Sequence, residues 1–164
     1  MELVLALDPG RTTGYALGYR HETLDIAYGE TRFSHGELWD FLRNVNPHFI
    51  VCESFDYRRL KDVDLYPCEL IGIVHLYASM QERSVFLQKP SIQGSKDAYW
   101  SDAKLKEYDL YKKGTEHGRS ALKHLLYWLQ FGHGAQFGEV DPMLTGVSWF
   151  LDNHVKGGDN LVGT

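Results

Sequence analysis

The chain has 164 residues, 43% of them hydrophobic, with a formal net charge of -5 and an isoelectric point near 5.9. This suits a single domain over 1–164, with about 132–164 as a C-terminal connector, helix and tail. No apolar run approaches the ~20 residues that span a bilayer, and Glu2 stands where a signal peptide would carry a basic head, so a cytosolic protein is expected. The acidic balance is not that of a general nucleic-acid binder and leaves room only for clustered basic residues or for cations bound in an acidic cleft.

The first element is ELVLALDPGRTTG, from Glu2 to Gly14. Leu3, Val4, Leu5, Ala6 and Leu7 are apolar on both faces, as in a central strand covered on both sides. Asp8 ends that strand. Pro9 and Gly10 turn the chain, and Gly14 to Leu17 begin an antiparallel return. Residues 23 to 33, TLDIAYGETRF, carry enough β-formers for a third strand. Ser34 with Glu37 forms a capping-box pattern, after which Leu38, Phe41, Leu42 and Val45 follow helical spacing until Asn46-Pro47.

The next apolar run, Phe49 to Cys52, closes on Glu53. With a helix between them, this strand and the first are expected to be parallel, which delivers Asp8 and Glu53 to the same end of the sheet. Alone, Asp8 reads as the start of an Asp-Pro-Gly turn. Two carboxylates beside a core, however, are normally paired or bound to a cation, and the pair suggests a divalent metal site.

Residues 54 to 63, SFDYRRLKDV, read either as a solvated loop or as a DNA-facing segment. In the second reading Arg58, Arg59 and Lys61 bind phosphates while Phe55 or Tyr57 stacks on bases. Pro67 suits the first turn of a helix capped by Asp64, and Leu70, Ile71, Ile73, Val74, Leu76 and Tyr77 make that helix apolar nearly all round. Cys52 and Cys68 read as buried thiols without metal-ligand spacing. Ser84 to Gln88 is a short strand. Residues 91 to 116 mix Lys96, Lys104 and other lysines with tyrosines and a tryptophan, a pattern that fits phosphate contact or an ordinary charged surface.

Residues 117 to 131 form the most regular helix. Leu122, Leu125, Leu126 and Leu129 share one face; His117, Ser120, Ala121, His124 and Trp128 share the adjoining one. His117 and His124 lie about 10 Å apart along the axis and cannot both ligate one ion, whereas His117 and Ser120 can approach one site. His124 reads as a structural, hydrogen-bonded histidine. A glycine-rich connector, a helical stretch and a polar tail follow from Gly132.

The segments LALDPGRTTGYAL, IVCESF and HGRSALKHLLYWL together resemble the RuvC-like Holliday junction resolvases of the ribonuclease H-like fold, particularly their phage-encoded members, over about residues 3 to 130. The resemblance implies an α/β mixed sheet with helices on both faces, and a homodimer whose mate would cover the surplus apolar surface of residues 65 to 77; a mobile N-terminal segment would cover it equally well. It implies a Mg²⁺- or Mn²⁺-dependent endonuclease resolving branched DNA, in the host cytoplasm if phage-encoded. Its catalytic positions fall on Asp8, Glu53, His117 and Ser120. Two ions ~3.5 to 4 Å apart would be bridged by Asp8, one held by Glu53 and the other held or oriented by His117. A lysine would steady the scissile phosphate. Ser120 departs from the pattern, which has an acid there, so two carboxylates would have to hold two dications and one ion should bind poorly. A weakly active or purely binding descendant, and a nuclease of the same fold for flaps or RNA-DNA hybrids, are the alternatives. A sugar-kinase-like ATPase would need a duplicated domain.

Overall fold

The computed structural model describes residues 2–20, 26–55, 62–90 and 99–131. Tyr57, Arg58, Arg59, Lys61, Lys96 and the C-terminal stretch from Gly132 lie outside the described residues. Among the described residues are five strands, β1 (Glu2–Asp8), β2 (Thr13–Arg20), β3 (Ala27–Thr31), β4 (Phe49–Glu53) and β5 (Ser84–Gln88), and four helices, α1 (His35–Val45), α2 (Tyr66–Met80), α3 (Asp102–Glu107) and α4 (Glu116–Phe131).

The strands form one mixed sheet in the order β3-β2-β1-β4-β5. β1 to β3 are an antiparallel meander, and β4 and β5 add in parallel to β1. The parallel register, Leu7 opposite Cys52, sets Asp8 and Glu53 one residue further along two adjacent strands. Glu53 in turn is paired with Gln88.

Side-chain alternation then divides the core into two layers. Leu5, Leu7, Ile50 and Cys52 pack under α1 and α2 with Leu38, Leu42, Leu70, Val74 and Tyr77. Val4, Ala6, Ala16, Tyr28 and Val51 pack under α4 with Leu122, Leu125, Leu126 and Leu129. Each leucine taken wholly out of water contributes about 1.5 to 3 kcal/mol, and both layers are built largely from such residues. Asp8 and Glu53 share the parity of Ala6 and Val51, so both belong to the face that α4 covers.

The capping box of α1 is complete: Glu37 N–H donates to Ser34 Oγ at 3.3 Å and Ser34 N–H to Glu37 Oε2 at 2.8 Å. Asn46 ends the helix in the left-handed conformation, φ 47°, a role Asn fills more readily than most side chains. Asp64 is not the N-cap of α2, which is Leu65; its carboxylate accepts the Tyr66 N–H at 3.1 Å and pairs with Arg11 at 2.9 Å. The expectation of two buried thiols holds for only one of them. Cys68 is exposed, because it falls on the outer side of α2, while Cys52 is buried. The edge of α4 that carries Ser120, Ala121, His124 and Trp128 is buried along with the leucines, because the ends of the strands lie beneath it.

Glycine makes this contact possible. A Cβ at Gly14 would lie 1.8 Å from the His117 carbonyl oxygen, and one at Gly118 2.8 Å from that of Gly29. The first turn of α4 therefore rests directly on the β2–β3 backbone. Glu30 of β3 completes the joint, accepting the His117 and Gly118 N–H groups at 3.0 and 3.4 Å and placing an acid at the positive end of the helix.

Candidate active site

At this sheet end α4 meets both carboxylates. His117 Nδ1 lies 3.0 Å from Asp8 Oδ2. Two turns further along, His124 Nε2 lies 2.8 Å from Glu53 Oε2, and its Nδ1 lies 2.6 Å from Gln88 Oε1. Ser120 stands between the two histidines on the same helix edge. Its hydroxyl is close enough to the Asp8 carboxyl to favour ionisation, yet it is buried and makes no hydrogen bond of ordinary length and angle.

Burial first, and then the Glu53 charge, push the Asp8 carboxyl above its ordinary pKa, against the opposing pull of Ser120 and His117. The Asp8 side chain is only 13% exposed and that of Glu53 18%. Two carboxylates forced together in a site with so little water are relieved by a cation, and the orphaned Ser120 hydroxyl adds one weak oxygen donor. The donor set is all-oxygen and anionic, which fits a hard divalent ion. Among the described residues, however, no three His, Cys, Asp or Glu side chains form a ready-made cage. The fit is therefore to an ion that keeps several waters, as Mg²⁺ does.

Of the residues read from the sequence, Asp8, Ser120 and His117 are brought together, and Glu53 stands on the adjacent strand. Phe55, two residues beyond Glu53, lines with it and with Pro9, Ser54, Pro67, Ile71 and Pro90 a cleft of about 290 Å³. Lys104, on α3, stacks its ammonium over Tyr99 at 3.7 Å and Trp100 at 4.8 Å from the ring centroids. Four contributors are not marked as such by the sequence. Gly14 reads there as the start of a return strand and Glu30 as part of a β-rich run. His124 shows no partner, and Gln88 merely ends a strand. Strand parity was the available signal, since residue 30 follows Tyr28 and residue 88 follows Phe86 on the α4 face.

No family model and no curated protein matches the sequence. Solved structures do match its fold. RuvC from Thermus thermophilus superposes with a TM-score of 0.55 at 14% identity, covering 85% of this chain and 98% of that one. The same bacterium's RuvC in complex with a Holliday junction substrate gives 0.57 at 15% identity, with the same coverage. The fowlpox virus Holliday junction resolvase gives 0.51 at 14% identity over 77% of this chain and 97% of its own. The fold is thus the ribonuclease H-like arrangement, a mixed sheet covered on both faces, shared with these structures.

Proposed function

We propose that this chain is a divalent-cation-dependent endonuclease acting on branched DNA, with four-way junctions as its first substrate class. The observation that carries the reading is the delivery of Asp8 and Glu53 to one end of two adjacent parallel strands, on the face where His117 holds Asp8. The fold shared with a junction-bound RuvC supports the substrate class.

Asp8 and Glu53 would hold a Mg²⁺ or Mn²⁺ ion, which when bound supplies charge neutralisation at the phosphate and a more acidic water. His117 donates from Nδ1 to the Asp8 carboxylate, which fixes its tautomer and leaves the Nε2 lone pair able to take a proton from an attacking water. Its side chain is 48% exposed, compatible with both roles considered for it, orienting a second ion or accepting that proton. Phosphate contacts are assigned to Arg58, Arg59, Lys61, Lys96 and Lys104, and base stacking to Phe55 and Tyr57. The nuclease is read as one domain over 1–164, paired as a homodimer through α2.

One observation favours a slower variant of the same reading. Ser120 contributes a neutral hydroxyl beside Asp8, so a second ion would have one acid fewer than the resolvase pattern provides. Junction binding with slow cutting follows. The test compares binding and Mn²⁺-dependent cleavage on a four-way junction, a flapped duplex and an RNA-DNA hybrid. Preference for the junction in both is expected; preference for the hybrid or the flap would replace the proposed substrate class.

A further inference from the structure

His124 is wholly buried, at 0% exposure. A buried imidazole needs partners for both nitrogens, and the ones it has are unusual for a core histidine, since one is the carboxylate of Glu53 at 2.8 Å and the other the side-chain amide of Gln88 at 2.6 Å. An ionised carboxylate can only accept, so Nε2 carries a proton and donates to Glu53 Oε2, and the Gln88 amide, whose oxygen and nitrogen exchange places by a half-turn, donates its NH2 to Nδ1. Gln88 is itself fixed. It is the residue paired with Glu53 across β4 and β5, it is 7% exposed, and its main-chain carbonyl accepts the Ser54 N–H at 2.8 Å.

We propose that His124 is a positioning residue for the Glu53 carboxylate, gripping Oε2 through Nε2 while Gln88 holds the other side of the ring, so that Oε1 is the oxygen presented to a cation. This rests on the reading of Glu53 as a cation ligand. Glutamate has three rotatable side-chain bonds, and Glu53 sits at a strand end where the chain leaves the sheet. Among the described residues, His124 supplies the hydrogen bond that stops its carboxylate from swinging. The same helix performs two distinct tasks: His117, half exposed, keeps a ring nitrogen for chemistry, whereas His124 spends both on rigidity. Hydrogen-bonded partners of ligating carboxylates set metal affinity, and their loss typically costs ten- to a hundredfold.

The experiment measures Mn²⁺ binding without DNA, from the electron paramagnetic resonance signal of free Mn²⁺, for the unaltered chain and for His124→Leu, His124→Gln, Gln88→Leu and Asp8→Asn. His124→Leu is expected to weaken binding about ten- to a hundredfold. His124→Gln, which restores an N–H donor, should recover most of the loss, and Gln88→Leu should fall between. If His124→Leu does not fold, His124→Gln and Gln88→Leu carry the comparison. A purely structural histidine would lower the melting temperature of the leucine variant and leave the Mn²⁺ affinity of the folded protein unchanged. That result, with unaltered binding lost in Asp8→Asn, overturns the positioning role alone. An unaltered chain that binds Mn²⁺ no better than Asp8→Asn overturns it together with the cation reading.

Discussion

At the scale of single residues, strand parity and one missing charge explain most of the site. Asp8 and Glu53 were legible because each terminates an apolar run, and a strand has only one last residue to deliver. His124 was legible as a member of a helix edge but not as the partner of Glu53, since helical spacing says which residues share a face and nothing about what lies opposite. Ser120 is the residue at which the sequence departs from the resolvase pattern, and the structure sets its unpartnered hydroxyl beside the raised Asp8 carboxyl. Replacing it by Ser120→Asp adds a strong oxygen ligand on the side of Asp8 facing α4. Metal-dependent junction cleavage should then rise at least tenfold, about 1.4 kcal/mol of barrier, in rates measured at saturating Mg²⁺ and Mn²⁺. Equal rates would mean that position 120 is not a ligand position.

At the scale of elements, the site depends on how closely α4 lies on the meander. Gly14→Ala would press a methyl group into the His117 carbonyl, 1.8 Å away. Backbone on both sides cannot yield as a side chain could, so a cost of about 3 kcal/mol, the upper end for overpacking, is expected in urea denaturation. The helix ends and strands were readable from capping and alternation; this joint was not, because a glycine's importance lies in a neighbour brought by tertiary packing. A second tie runs from α3 to α4, where Asp102 Oδ1 faces Lys123 Nζ at 2.6 Å, an ion-pair distance, although that oxygen has no hydrogen bond of ordinary geometry. Burial alone would raise the Asp102 carboxyl, but Lys123, together with the charges of Arg119 and Lys106, holds it below its usual value. The folded chain therefore binds this proton less readily than the unfolded one. The pair stabilises above the unfolded carboxylate value, ~3.9, and the benefit is lost as pH falls through the lower folded value. Asp102 is 43% exposed, so Asp102→Asn should cost at most about 1 kcal/mol near neutrality and nothing in strong acid, as urea titrations at the two pH values would show.

At the scale of the whole molecule, the mixed sheet and the helices on its two faces were readable because apolar runs, turns and caps agreed with one another. What covers α2 was not, since an all-round apolar helix announces surplus surface without naming its occupant. Leu65 and Leu76 are 55% exposed and Met80 61%, and a second copy would bury them while presenting two sites to the two strands of a junction. Light scattering at micromolar concentration should give about twice the 18.8 kDa chain mass, and Leu76→Glu should return it to one; a monomer from the unaltered chain would favour a flap or hybrid substrate instead. In the proposed function, Asp8 and Glu53 would hold the ion on which phosphodiester cleavage depends. The decisive measurement is Mn²⁺-dependent cleavage of a four-way junction by the unaltered chain and by Asp8→Asn, with junction binding measured in parallel. The asparagine variant is expected to lose cleavage and keep its binding. Undiminished cutting by that variant would contradict the metal role of Asp8.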